Sequence, residues 1–131
     1  MITRINISSG SPWEDVVGYS RAVRIGNVIE ISGTTAVDGE NIVGVSDLYE
    51  QTRFILQKLR KTLESCGSNP THVIRTRMYV TDISKWGHAA KAHSEFFADI
   101  KPASTMIEVS RLIHPDLLIE IELSAIIPPD I

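Results

Sequence analysis

The chain has 131 residues, 43% hydrophobic and 22% charged, which describes one ordinary globular domain and excludes a disordered tail. Its 13 basic and 16 acidic residues leave a net charge of −3, which argues against nucleic acid as the main partner, since a phosphate backbone is gripped by clustered Lys and Arg. The single cysteine, Cys66, excludes an internal disulfide and a cysteine-built zinc site.

No stretch approaches about 18 consecutive apolar residues, and the opening residues lack a basic segment followed by an apolar one. The expectation is a cytoplasmic protein without a membrane span. Thr3–Ile7 alternates weakly and reads as a first strand, and Ser8–Pro12 reads as a loop. Ser20–Ile25 and Val28–Ser32 are extended runs separated by Gly26-Asn27, the pattern of a two-residue hairpin turn of type II′ or I′. Thr34–Gly44, with Asp38-Gly39 inside it, reads as a loop with a bulge.

Asp47–Cys66 has the period of a helix: Leu48, Thr52, Ile55, Leu56, Leu59 and Leu63 form one stripe. Ser46 or Asp47 can cap its start, and Gly67 and Pro70 stop it. Val73–Val80 is β-branched and alternating, hence a strand. A second helix is predicted from Ile83 to Asp99, with Asp82 as N-cap and Ile83, Trp86, Ala90, His93 and Phe97 facing the core. Pro102 closes it. Ala103–Leu112 and Leu118–Ile127 are predicted strands, joined by a loop carrying His114-Pro115-Asp116. The order β-β-β-α-β-α-β-β predicts an α+β domain, a mixed sheet of about six strands with both helices on one face.

Side chains alternate across a strand, so the face turned away from the helices is readable. Ile119, Ile121, Leu123 and Ala125 form one apolar face of the last strand, and Leu118, Glu120, Glu122, Ser124 and Ile126 form the other. Similarly, Ile74, Thr76 and Met78 are predicted to oppose Val73, Arg75, Arg77 and Tyr79. The predicted open face mixes Glu30, Arg75, Arg77, Glu108, Glu120 and Glu122 with Tyr79, Met106, Leu118 and Ile126. A solvated face is common in antiparallel sheets. Large apolar residues interleaved with opposite charges fit self-association better, and a homo-oligomer is expected.

Chemistry-bearing motifs are sparse. The four histidines are scattered, and His88 and His93 stand five apart on different faces of one predicted helix, so no metal is expected. His93, on the apolar stripe, reads as a core histidine. Neither a G-x-S-x-G nucleophile elbow nor a glycine-rich phosphate loop is present, and no cofactor is expected. Cys66 stands at the end of the first predicted helix, whose C-terminal dipole raises a thiol pKa. There remains a set of strand carboxylates beside Ser32-Gly33-Thr34. A carboxylate half-buried at a subunit seam can orient a water, and backbone N–H groups near Gly33 can hold a carbonyl or small anion.

Several segments together resemble one family. They are Gly18-Tyr19-Ser20, Ile31-Ser32-Gly33-Thr34, Met78-Tyr79-Val80-Thr81-Asp82, Glu95-Phe96-Phe97, Lys101-Pro102-Ala103-Ser104, Glu108-Val109-Ser110-Arg111-Leu112 and Ile119-Glu120-Ile121-Glu122. In this order and spacing the chain resembles the RidA/YjgF superfamily, also called the endoribonuclease L-PSP family. The resemblance implies a chorismate-mutase-like fold and a homotrimer with a small-molecule cleft between each pair of subunits. It also implies hydrolysis of enamines and imines such as 2-aminoacrylate to a 2-keto acid and ammonia. Carried over by position, Glu120 orients the water and Tyr19 assists it, while Ser32, Gly33 and Thr34 line the ligand site.

Two departures stand out. Where the family carries an arginine after Pro-Ala, this chain has Ser104, and Ala90 stands where catalytic members often carry an asparagine. Arginine clamps a carboxylate with two parallel hydrogen bonds, and a serine offers one neutral bond. Losing that clamp in a desolvated site costs about 2–5 kcal/mol. Arg21, two residues beyond Tyr19, is the candidate to compensate at the cleft mouth. The expected functions are hydrolysis of an imine or enamine other than 2-aminoacrylate, or ligand binding and sensing without chemistry. Ribonuclease activity fits poorly with the negative charge and the lack of a basic-aromatic stripe.

Overall fold

The computed structural model describes residues 2–129. Its strands are β1 (Arg4–Ile7), β2 (Ala22–Ile25), β3 (Val28–Thr34), β4 (Val37–Asp38), β5 (Asn41–Ile42), β6 (Val73–Val80), β7 (Ala103–Glu108) and β8 (Ile119–Ile126). The helices are α1 (Pro12–Val17), α2 (Leu48–Ser65) and α3 (Trp86–Phe97). Six strands form one sheet in the order β1-β2-β3-β8-β6-β7. Strands β6 and β7 pair in parallel, with α3 as their crossover; the other neighbours are antiparallel. The predicted mixed six-stranded α+β sheet is therefore present.

Local chemistry sets the boundaries. The hairpin β2–β3 pairs Ile25 with Val28 across Gly26-Asn27. Gly26 has φ +58°, the left-handed first position that a type II′ turn requires. Asp47, the better of the two predicted caps, accepts the Glu50 N–H at 3.0 Å and opens α2, and Gly67 at φ +79° ends it. The α2 stripe is as predicted: Ile55, Leu56, Leu59 and Leu63 are buried against Ile29, Ile31, Met78, Val80, Ile119, Ile121 and Leu123 of the sheet. Burying each such side chain contributes about 1.5–3 kcal/mol, and this layer supplies most of the driving force.

Five expectations need correction. The segment after Ser11 is not only loop: Pro12–Val17 forms α1, which starts with Pro at its first turn and is capped by the Ser11 hydroxyl. The stretch Thr34–Gly44 contains the small hairpin β4–β5, turning at Gly39. The strand from Ala103 ends at Glu108, short of Leu112. In the second helix, Ile83–Lys85 is a 3₁₀ turn, and its tighter winding offsets the phase of α3 by about 60°. Phe97 faces the core as predicted, but Ala89 and Ala92 are buried beside it, and Trp86 is 58% exposed.

The fifth correction concerns the faces of β6 and β7. A bulge between Val73 and Arg75 inserts one residue into β6, so Val73 turns to the core and Ile74 is exposed. The parallel register pairs Met78 with Met106 and Tyr79 with Ile107. Met106 and Glu108 thus lie on the helix side, and Thr105 and Ile107 join Arg75, Arg77 and Tyr79 on the open face. One residue of slip exchanges the two faces of a strand, which is why alternation alone misassigned them.

Candidate functional site

Glu120 lies near the start of β8, between Tyr79 of β6 and the end of β3. There the β3–β8 register shifts between Ile31 and Thr34, a bulge that brings the Ser32-Gly33 backbone against the Glu120 side chain. Gly33 makes the approach possible. A Cβ at this position would sit 2.0 Å from Glu120 Oε2 and 2.9 Å from its Cδ. The glycine is required here by close approach, since its φ is not left-handed.

The electrostatics distinguish the two strand carboxylates. Burial pushes the Glu120 pKa above the ordinary carboxylate value; the neighbouring Arg21 charge opposes this and Glu122 adds to it. Glu122, by contrast, accepts a hydrogen bond from the Tyr79 hydroxyl, which raises the tyrosine pKa. Of the two, Glu120 is the carboxylate left free for a water or a ligand.

Arg21 runs alongside. Its Nη2 donates to the Gly33 carbonyl, and its Nε is buried without a partner. Its guanidinium carbon is 5.9 Å from the centre of the Tyr19 ring, so Tyr19, Arg21, Gly33 and Glu120 form one neighbourhood. Ser32 holds the bulge: its hydroxyl donates to Ser20 O at 2.7 Å and its N–H to Arg21 O at 3.0 Å. Thr34 is 2% exposed and its hydroxyl donates to Ser32 O, so it supports the bulge from the core side and offers no surface to a ligand.

Ser104 is not brought to this neighbourhood. Ser104, on β7, pairs with Thr76 of β6 on the helix side of the sheet, whereas Glu120 pairs with Tyr79 on the open side. Within one chain, the predicted constellation is split across the two faces. The Ser104 hydroxyl is 2.8 Å from Thr76 Oγ1, which is in turn 2.9 Å from His93 Nε2. Sequence reasoning missed Thr76 as a polar contact; His93, read as a core histidine, is half-buried, packs on Phe97 and finds its hydrogen-bond partner in Thr76. The available signal was a threonine at a buried alternating position, with a histidine on the facing helix.

A cleft of about 250 Å³ opens elsewhere, where the start of α2 meets the end of β6, lined by Asp47, Asp82, Lys85 and His88 among others. None of the predicted site residues lines it. Among the described residues no helix is long and apolar enough to cross a membrane.

The endoribonuclease L-PSP family matches residues 11–127. A protein from Streptomyces coelicolor of uncharacterized function is 33% identical over 119 residues, covering 91% of this chain and 89% of its own. A RutC family protein from Pyrococcus abyssi is 35% identical over 107 residues, 79% of this chain and 82% of its own. Among solved structures, a member of the YjgF/YER057c/UK114 family from Mycobacterium tuberculosis superposes with a TM-score of 0.87 at 42% identity, covering 95% of this chain and 100% of that one. With a family match over nearly the whole chain and a solved family member superposing closely, the chain belongs to the endoribonuclease L-PSP family of the RidA/YjgF superfamily.

Proposed function

We propose that the protein binds a small metabolite in clefts between the subunits of a homotrimer and hydrolyses an imine or enamine other than 2-aminoacrylate. The observation that carries this reading is the Glu120 carboxylate seated over Gly33, desolvated, with Arg21 close by. A carboxylate with a raised pKa holds a proton more readily and suits the uptake and return of one near neutral pH. In the reaction, water oxygen bonds to the C=N carbon as Glu120 takes up a water proton. The nitrogen is protonated and leaves as ammonia with the C–N electron pair, and the carbon becomes a carbonyl.

An assembly supplies the residues that one chain separates. Ser104 and Glu120 lie on opposite faces, so a shared cleft needs Ser104 from one copy and Glu120 from the next. The open face, with Tyr79, Ile107 and Ile126 among its charges, is suited to packing against a second copy. Substrate choice follows from Ser104: a neutral hydroxyl does not clamp a carboxylate, and a ligand neutral at that end or larger is favoured.

A second reading, a sensor that binds without turnover, is favoured by one observation. The Ser104 hydroxyl is already engaged by Thr76. The experiment that separates the two is ammonia release from imines generated by an amino-acid oxidase across a panel of amino acids, run beside sedimentation to establish the trimer. Release above the uncatalysed rate, lost in Glu120→Gln, is expected. A folded trimer that accelerates no imine refutes the hydrolase, and a monomer at assay concentration refutes the shared cleft.

A further inference from the structure

Thr76 is fully buried in β6, and its hydroxyl has two neighbours: His93 Nε2 on α3 and Ser104 Oγ on β7. A hydroxyl owns one proton and two lone pairs. Burial makes an unused proton costly, so Thr76 donates to one neighbour and accepts from the other. The directions of the two bonds are thereby locked together. With Nε2 accepting, the chain runs Ser104 to Thr76 to His93, and Ser104 turns lone pairs outward. With Nε2 protonated, it runs the other way, and Ser104 turns its proton outward.

The ends of this chain differ in environment. Ser104 is exposed at the edge strand. His93 is half-buried with its ring centre 4.7 Å from that of Phe97, and burial alone pushes its pKa below the ordinary imidazole value of 6.5. Charges on the surrounding elements are engaged elsewhere. On α2, Arg60 lies over the Phe96 ring and Tyr49 donates to Glu95; on α3, Lys91 lies over Tyr49. On β6, Arg75 donates to Thr105 on the opposite face; on β7, Glu108 accepts from the Ile83 N–H.

We propose that Thr76 and Ser104 form a two-hydroxyl proton relay that connects the His93 imidazole to a ligand bound at Ser104. This rests on the hydrolysis proposed above and assigns its second proton-handling group, His93, which acts through Thr76 and Ser104 without touching the ligand. Water oxygen bonds to the carbon of the protonated C=N group as Glu120 takes a water proton, and the C=N electron pair moves to nitrogen. When the C–N bond breaks, its electron pair leaves with nitrogen, which takes the proton from Glu120 and departs as ammonia. The carbinolamine hydroxyl gives its proton to Ser104 as its oxygen becomes a carbonyl, Ser104 passes a proton to Thr76 and Thr76 passes one to His93 Nε2. Glu120 ends as carboxylate, and the imidazolium, disfavoured by burial, returns its proton through the relay to solvent once the product has left.

Two measurements on the full-length protein test it. Imidazole ¹⁵N shifts followed over pH report the tautomer and titration of His93; Thr76→Val, which keeps the shape and removes the hydroxyl, is expected to change both, and Thr76→Ser to restore them. In the ammonia assay with oxidase-generated imines, Thr76→Val and His93→Gln are expected to lower kcat about 10²-fold and to remove one limb of the pH profile, with KM changed less than about 2-fold. Thermal unfolding verifies folding, and if the valine variant fails to fold, His93→Gln carries the kinetic arm alone. A His93 signal indifferent to Thr76→Val, or a Thr76→Val or His93→Gln protein with wild-type kcat and pH profile, overturns the relay. A wild-type protein that releases no ammonia removes the hydrolase reading by itself, and the ¹⁵N measurement then decides the relay.

Discussion

Gly33→Ala probes the contact on which the site depends. The added methyl would stand 2.0 Å from Glu120 Oε2, 2.9 Å from Cδ and 3.2 Å from Cγ, where real Cβ atoms keep at least 3.0 Å. The atoms in the way belong to a flexible side chain, so the carboxylate swings out and the backbone stays. The Gly33 φ is not left-handed, so alanine incurs no backbone strain and restricts the unfolded chain, a gain of about 0.4–1 kcal/mol. Against it stands a displaced or off-rotamer Glu120, at about 0.5–1.5 kcal/mol. The net stability change is expected within about 1 kcal/mol, while the carboxylate loses its desolvated seat and its pKa falls back toward the ordinary 4.5. Urea unfolding, a carboxyl ¹³C titration of Glu120 and the ammonia assay measure the three effects. Unchanged titration together with unchanged turnover would refute the argument that Gly33 seats the working acid.

Ser104→Arg places a fork at an exposed edge position and removes the outer hydroxyl of the relay, so affinity for a 2-keto acid is expected to rise at least about 10-fold while kcat falls; a folded variant with no gain in affinity means the rest of the cleft does not meet a carboxylate. Because the folded pKa of Glu120 is raised, the folded state holds its proton longer than the unfolded one. Its stabilising contribution is complete below 4.5 and is lost as pH rises through the folded value. Denaturation of wild type and Glu120→Gln at about pH 4 and about pH 7 is expected to show the variant gaining relative stability at the higher pH, and a pH-independent difference contradicts the burial argument. Leu59→Ala removes a side chain with 0% exposure between α2 and the sheet, and a loss of about 2–5 kcal/mol in urea unfolding is expected. A loss below about 1 kcal/mol would mean that α2 is not anchored there.

The fold is legible in the sequence wherever the controlling interaction is local. The α2 stripe, its Asp47 cap, the Gly26-Asn27 turn and the inward face of β8 each follow from residues a few positions apart. The motif order likewise carried the family. Less legible were features where one residue of phase decides the outcome. The bulge at Ile74, the 3₁₀ turn at Ile83–Lys85 and the parallel register of β7 each exchange one face for the other. Alternation in a single strand contains no information about an inserted residue in its pairing.

The site divides in the same way. Glu120 and Gly33 were nameable as residue types in suggestive places, but they are 87 positions apart, and their contact exists because a bulge in β3 pushes backbone toward β8. Likewise, Ser104 was visible as a departure from a motif. Its partners, Thr76 and His93, come from a strand and a helix that meet only after the sheet has formed. Periodicity, caps and turns are encoded within a few residues because backbone sterics and burial act over that range. Which carboxylate is desolvated, and which hydroxyl meets which imidazole, depends on distances between segments remote in sequence, and only packing sets those.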